Sequence, residues 1–530
     1  MDRVGERDPS PVCDAGSTLK VEDGPSDGSR LSAFLQARAQ EQDGGRWHYC
    51  LRSAGTTGVL PDPTQLRRRL QALVPPLPAT WREALLQGWP AALRGLHRIE
   101  VVPGAGWVSL AIGLGGSLQR KLDARWRTPA PCPDRTDAIV VGAGLAGCAM
   151  ADALTRRGWR VSVLERSGFT GGAVAEIPLL AQHPALSPGE DRRSRLLLAA
   201  FLASGRLAGR LGDAMHRCGR FQPMPLAQAR ARTAGVPASV AHPVARSEQA
   251  VHGVQGWQGI WYPDGAMVSP QRWWRRLLQE PDLELHLRCR VAAIHREAGQ
   301  WQALSGDGEV LASASALILA CQAQSLDLAG LPDAVCGRLR QGSIRVAIGT
   351  SAGAQLQGGA GPADRPPRPI LGGSSYRLEA PGSCCVIGPV HAEDDNLQHI
   401  DLPGLAIGDP AYHWRLSRPA PRLLFRDNLP MIGPVPDAAA ILEDSRPYER
   451  NDRLLLPRRE SLHLLTGLGG RGLLWSVLGA EMIAAAIGGE PPVVEPDLQD
   501  AVDPARFLRR SLRRAGTRGG QADGTKDLSS

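Results

Sequence analysis

Residues 138–165 constrain this chain more than any other stretch. An apolar run, 138–141, leads directly into Gly142-Ala-Gly144-Leu-Ala-Gly147, and a helix-compatible stretch follows to about Arg157. A second β-type run, 160–164, ends at Glu165, 23 positions after Gly142. Each part has a task in a βαβ unit that binds a dinucleotide. Gly142 makes the tight turn, Gly144 lets the backbone approach a pyrophosphate, and Gly147 lets helix and strand pack closely. The helix N-terminus offers free N–H groups and a partial positive charge to phosphates. Glu165 is placed to accept hydrogen bonds from the adenosine ribose. Strand, glycines, helix and acid in register select a dinucleotide site over an ordinary glycine-rich turn.

The βαβ unit alone does not separate FAD from NAD. Residues 466–487 do: a glycine-rich turn with Gly469, Gly470 and Gly472 feeds an apolar helix some 320 residues later. In FAD amine oxidases such a segment sets a helix N-terminus against the flavin, where its dipole favours negative charge on the reduced ring. Gly171 and Gly172 are expected to add backbone contacts, and Val291 completes the expected cofactor set. The cofactor is expected to be FAD, held non-covalently.

The rest of the chain reads as follows. Residues 1–28 are polar and aperiodic, the pattern of a disordered tail. Residues 29–127 carry leucines and tryptophans with strand-like runs at 97–102 and 107–112, and 128–136 form a proline-rich linker. An oxidoreductase domain is expected over 137–511: mostly helical at 190–250, β-type at 280–320 and 343–390, helical at 472–487. Residues 512–530 read as a basic, flexible tail.

Net charge is +8, and only three of the 61 basic residues are lysines, Lys20, Lys121 and Lys526. This permits an anionic partner such as RNA, though an arginine-biased composition gives the same balance. Arg192, Arg193, Arg195, Arg206, Arg275, Arg276, Arg509, Arg510, Arg513 and Arg514 are the candidate phosphate contacts. Ten cysteines include no C-x-x-C pair, so reduced thiols in a cytoplasmic protein are expected, without a metal site. The most apolar stretch, 463–489, is broken by Arg471 and Glu481, and no membrane span is expected.

Several motifs give a specific resemblance. Arg426-Asp-Asn-Leu-Pro-Met-Ile-Gly-Pro-Val-Pro-Asp437, then Gly467-Leu-Gly-Gly-Arg-Gly-Leu473 and Ala480-Glu481, are similar to the C-terminal half of the MnmC family of tRNA wobble-uridine modification. Tyr262-Pro-Asp-Gly265 with Ser269-Pro270, Pro178-Leu-Leu180 with His183, Gly372-Gly-Ser-Ser-Tyr376 and Asp503-Pro-Ala-Arg-Phe507 resemble further elements of that family, in order. The resemblance implies an α/β, D-amino-acid-oxidase-like fold: a Rossmann-type βαβ unit plus an antiparallel-sheet substrate domain. It implies removal of the carboxymethyl group from 5-carboxymethylaminomethyl-uridine in tRNA, giving the aminomethyl form. One departure is 169–176 (FTGGAVAE), where the family's Asn near the flavin is absent.

The N-terminal region resembles the family's methyltransferase domain in damaged form. Trp81-Arg-Glu-Ala-Leu-Leu-Gln-Gly-Trp-Pro90 and Leu96-His-Arg98 match, but 25–34 keeps only Gly28 of the S-adenosylmethionine loop, and Gly116 stands where the family has Asp. A truncated remnant without methyl transfer is therefore expected, with S-adenosylmethionine a doubtful cofactor. The alternatives are a bifunctional enzyme that also methylates, and an FAD oxidase of small N-substituted glycines.

The implied substrate carries a carboxylate and an amine that must be neutral to lose a hydride. With no lysine from 122 to 525, the carboxylate's partner must be arginine or histidine. Arginine's planar fork matches a carboxylate. Arg426 and Arg422, beside the most specific block, and Arg471 in the glycine-rich turn are the candidates, with Tyr376 as a further hydrogen-bond donor. Asp427 is expected to orient Arg426, and His183 to be structural.

Overall fold

The computed structural model describes strands at 19–24, 46–52, 98–104 and 107–113, and then residues 136–523 except 189–190, 235, 237, 247–257, 333–335, 337–338, 352–369, 373–375, 381–383, 391–411, 452–453, 489–492 and 495. The four early strands pair in sequence order, the first two parallel and the others antiparallel. The runs expected at 97–102 and 107–112 are the last two of these, Arg98–Gly104 and Trp107–Gly113. The methyltransferase-like positions at 25–34, 81–90 and Gly116, and the linker to 135, lie outside the described residues.

The dinucleotide unit is built as its sequence predicts. Strand β1 (Asp137–Val141) runs into helix α1 (Leu145–Thr155), which returns to β2 (Arg160–Glu165). Four more strands complete the sheet: β3 (Leu283–Leu287), β4 (Ala316–Leu319), β5 (Met431–Pro436) and β6 (Arg458–Thr466). Their order is β3-β2-β1-β4-β6-β5, parallel except for the β5 edge. A parallel sheet must be covered on both faces, and β1 and β4 show how. Val140 and Ile318 point into a helical layer formed by α1, α2 (Arg192–Arg206), α3 (Pro270–Leu277) and α4 (Gly472–Ile487), while Ile139, Val141, Leu317 and Leu319 point toward an antiparallel three-stranded meander, 293–314.

The second layer is a nine-stranded, largely antiparallel sheet. Its 13-residue strand Leu339–Ser351 pairs with Ala420–Phe425 over its first half, and with Cys384–Val390 and Tyr412–Leu416 over its second. Arg220–Pro223, Gly259–Tyr262 and Tyr376–Ala380 lie in the same sheet.

Two expectations change. The 190–250 region is only partly helical: Met215–Arg217, Arg220–Pro223 and His242–Val244 are strands, too short and arginine-rich to show an alternating pattern. The C-terminal region is not a loose tail throughout. Helix α5 (Arg506–Asp523) continues to Asp523, and Leu508 and Leu512 are buried against Ile441 and Leu456. Among the described residues, Gly469–Ile487 is long and apolar enough to cross a membrane, but 72% of it is buried inside the protein as the central core helix.

Candidate active site

An elongated cavity of about 880 Å³ runs from the tip of β1 to the second sheet. At one end it is lined by Gly142, Gly144, Glu165, Gly171, Gly172 and Val291, and along its middle by Gly469, Gly470 and Gly472. Gly147 lies behind the lining, where a Cβ would sit 1.7 Å from the Gly142 carbonyl oxygen, so helix and turn can meet only at a glycine.

The cradle fits a dinucleotide. Gly142 adopts φ +103, and the space beside the Gly144 Cα is open. Helix α1 has no side-chain cap and no acid in its first turn, and α4 has neither. Both helix N-termini border the cavity and hold N–H groups available to an anionic ligand. They meet at Gly472 and Leu145, where a Cβ on the glycine would be 3.3 Å from Leu145 Cδ1. Glu165 is oriented by two backbone donors: Ala143 N–H at 2.8 Å on one oxygen and Ser167 N–H at 2.9 Å on the other. Each oxygen keeps a lone pair for a ribose hydroxyl. Cys289 and Cys321 also line the cavity, but burial pushes the Cys321 thiol up to about 11, so it is not a poised nucleophile.

The glycine-rich loop before α4 is shaped by close approach to strand Ala420–Phe425. Cβ atoms at Gly467 and Gly469 would lie 2.1 Å from Phe425 Cε2 and 2.4 Å from Leu424 Cδ2. The same contact places Arg422, whose Nη1 would be 3.1 Å from a Cβ on Gly470. Tyr376, from strand Tyr376–Ala380 of the same sheet, lines the cavity with it. Burial raises the Tyr376 phenol pKa and lowers that of Arg422, and each is partly offset by the other.

Of the four arginine and tyrosine candidates, Tyr376, Arg422 and Arg471 line this cavity and Arg426 does not. Arg426 is exposed, one residue past the end of the strand that carries Arg422. Asp427 does not orient it. That carboxylate receives a fork from Arg506 (2.9 and 3.1 Å) and a longer contact from Arg510 (3.4 Å), tying the Arg426–Pro430 turn to α5. Arg506 is itself 3% exposed and stacks on Phe425 and Phe507. The most specific sequence block thus builds a scaffold behind the site.

Sequence reasoning missed Arg220. It is 3% exposed, lines the cavity, stands 5.7 Å over the Tyr262 ring and contacts Nδ1 of His183. Arg471 reaches the same His183 nitrogen at 3.3 Å and donates to its carbonyl at 3.1 Å. Burial, then Arg220 and Arg471, hold the His183 imidazole well below its usual range and therefore neutral. Burial pulls the Arg220 and Arg471 guanidinium pKa values down to about 9 and about 10. The signal for Arg220 was indirect. In the Tyr262-Pro-Asp-Gly265 turn, a Cβ on Gly265 would lie 2.6 Å from Arg220 Cβ, so that motif seats Arg220. Arg193 and Arg232 line the cavity too. Among the described residues, Glu165 is the one acidic residue in the lining.

The other basic candidates scatter. Arg276 faces Asp213 at 3.4 Å, Arg509 donates to the Leu454 carbonyl, and Arg275, Arg513 and Arg514 are exposed. Among the described residues no group of three or more His, Cys, Asp or Glu is arranged to hold a metal.

Residues 137–486 match the family model for FAD dependent oxidoreductases. The chain is 33% identical to the tRNA 5-methylaminomethyl-2-thiouridine biosynthesis bifunctional protein MnmC of Paraburkholderia phytofirmans, covering 78% of this chain and 66% of that one. The Cupriavidus necator protein of the same name is also 33% identical, over 82% of this chain and 71% of its own. Among solved structures, the fructosyl amine:oxygen oxidoreductase amadoriase I of Aspergillus fumigatus superposes with a TM-score of 0.50 at 18% identity, covering 72% of this chain and 93% of that one, and shares the fold. With a dinucleotide cradle at one end of the cavity and uncompensated arginines at the other, the chain belongs to the FAD dependent oxidoreductases and, within them, to the MnmC family.

Proposed function

We propose that this oxidoreductase removes the carboxymethyl group from 5-carboxymethylaminomethyl-(2-thio)uridine at the wobble position of tRNA, in the cytoplasm. The observation that carries this reading is the charge imbalance of the cavity. Its far end presents Arg193, Arg220, Arg232, Arg422 and Arg471 with no carboxylate among the described residues of the lining there. Such a wall calls for an anionic substrate.

FAD, when bound, supplies the two-electron acceptor for oxidation of the C–N bond. Gly142, Gly144, Gly171, Gly172, Glu165 and Val291 would hold its dinucleotide portion, and Gly469, Gly470 and Gly472 its ring. Arg422 and Tyr376 would take the substrate carboxylate, setting the neighbouring methylene toward the middle of the cavity. The oxidised C=N bond then takes up water and breaks to the aminomethyl nucleoside and glyoxylate. No strong base is required at the carbon if the amine is already neutral.

The test is mass spectrometry of wobble nucleosides after incubating the purified protein with tRNA carrying the carboxymethylaminomethyl group, with and without S-adenosylmethionine. The expected result is the aminomethyl nucleoside in both cases. A methylaminomethyl product would restore the methyl-transfer activity to the N-terminal region. An unchanged nucleoside, with oxidation of free N-substituted glycines, would overturn the tRNA reading.

A further inference from the structure

The cationic end of the cavity is divided in two. One locus is Arg422 with Tyr376, carried by two separate strands of the second sheet, with Gly470 against Arg422. The other gathers around His183, where Arg220 and Arg471 converge on one imidazole nitrogen and Arg193 and Arg232 complete the lining. This second locus grades from exposed Arg193 to Arg220 at 3% exposure. Its guanidiniums have no salt bridge among the described residues. Arg220 Nε and Arg232 Nε are buried without a hydrogen-bond partner. Glu165 is at the opposite end, each oxygen already engaged by a backbone N–H.

A carboxymethylamine carries one carboxylate, and the Arg422–Tyr376 locus accounts for it. The pyrophosphate of FAD, when bound, would be met by the N-terminus of α1, on different residues. Among the described residues no carboxylate of the cavity lining faces the four guanidiniums of the second locus; Asp191, outside the lining, interacts with Arg193 at its exposed edge. A single carboxylate offers two oxygens; a phosphate ester offers more acceptor positions and suits a cluster of forks. Resting on the reading above, we infer that the Arg193–Arg220–Arg232–Arg471 cluster binds a backbone phosphate next to the modified uridine, so that the site requires a nucleotide rather than a free amino acid. His183, neutral and contacted by Arg220 and Arg471 at one nitrogen, is a positioning residue: it holds the two guanidiniums together and aims them at one ligand. Gly265 holds the same geometry from behind by leaving room for the Arg220 stem.

The experiment uses the full-length yellow protein with Arg220→Gln, Arg193→Gln and Arg422→Gln variants. Arg193 is exposed, so its variant tests the cluster without disturbing a buried site. Calorimetry with uridine 3′,5′-bisphosphate, with and without saturating glycolate, reads binding without turnover. Both ligands should bind together, the nucleotide Kd changing by less than about two-fold on adding glycolate, while Arg220→Gln and Arg193→Gln weaken the nucleotide about ten-fold and about three-fold. Inorganic phosphate, lacking the uridine, should bind more weakly at the same cluster and be displaced by the bisphosphate.

In anaerobic flavin reduction, 5-carboxymethylaminomethyl-uridine 3′,5′-bisphosphate should show a KM about ten-fold below that of the nucleoside. That ratio should collapse toward one in Arg220→Gln and persist in Arg422→Gln. One-for-one competition between glycolate and the nucleotide, or a ratio of one in the wild type, overturns the second locus even if tRNA is demodified. Phosphate-dependent binding with no oxidation of either substrate instead sinks the proposed reaction and leaves the locus standing.

Discussion

Glu481 holds together the two helices whose N-termini face the cofactor, and Glu481→Gln should loosen both. Its carboxylate, 5% exposed, receives Arg156 on one oxygen and Arg157 at 2.9 Å on the other, joining the end of α1 to the middle of α4. Burial opposes ionisation, but Arg156 and Arg157 more than offset it and bring the carboxyl pKa from 4.5 down to about 2. That depression corresponds to about 3 kcal/mol of stability near neutral pH. Because the folded-state pKa is depressed, the contribution is complete above about pH 4.5 and is lost as pH falls toward 2. The glutamine variant cannot ionise and removes the Glu481 charge that faces Arg157, 7% exposed. A loss of about 3 kcal/mol gives a Tm decrease of roughly 3–5 °C for a unit of this size. Flavin fluorescence on heating reports unfolding and cofactor release together. The gap between wild type and variant should hold steady from pH 7 to 5 and narrow below 4.5. A Tm within about 1 °C of wild type, or a gap that ignores pH across that window, would refute the coupling.

Three further outcomes follow from the same geometry. Gly147→Ala should yield protein without bound flavin, read by its absorption spectrum after purification, since the new Cβ has no room beside the Gly142 carbonyl. Arg422→Met should lower kcat/KM on the carboxymethylaminomethyl substrate by about 10²-fold or more, the scale of a lost charge-assisted hydrogen bond, whereas Arg426→Met should stay within about two-fold because Arg426 is exposed outside the cavity. Acid precipitation should release all the flavin into the supernatant; flavin retained in the pellet would establish a covalent link and contradict the buried, protonated state of Cys321.

The dinucleotide cradle was legible because its glycines answer to backbone geometry, which is local. Gly142 and Gly147 sit within six residues of each other, and the constraint between them is visible as spacing. Helix α4 was legible for a related reason, a long apolar run with glycines at its start. The substrate end was not, because its residues come from strands far apart in the chain. Arg220, Arg422 and Arg471 become neighbours only when the second sheet closes on the loop before α4, and nothing local marks three arginines among so many. Proximity to the motif Arg426–Asp437 favoured Arg426, yet that block is constrained by Arg506 bracing Asp427 and Leu429, which is architecture. The Tyr262–Gly265 turn was recognised as a motif without its purpose, because its tight contact is with Arg220, 45 positions from Gly265 and on another strand.

On the proposed reading, the arrangement also accounts for oxidation of an amine without a strong base among the described residues of the lining. The lining of the substrate end contains arginines, a tyrosine whose phenol pKa is raised by burial, and a histidine held neutral with a depressed pKa. A secondary ammonium entering this wall meets several guanidiniums in a poorly solvated space, and like charge disfavours its protonated form. The arginines that attract the substrate's anionic groups therefore also push its nitrogen toward the neutral state needed for oxidation. The two effects do not conflict, because on the proposed reading the carboxylate would be anchored at Arg422 while the larger cluster gathers at His183. A single central arginine paired with the carboxylate would be largely neutralised and would leave the amine protonated. Dividing the cations into two groups leaves positive charge to act on the amine, and it is this surplus, more than any one residue, that suits the cavity to N-carboxymethyl chemistry.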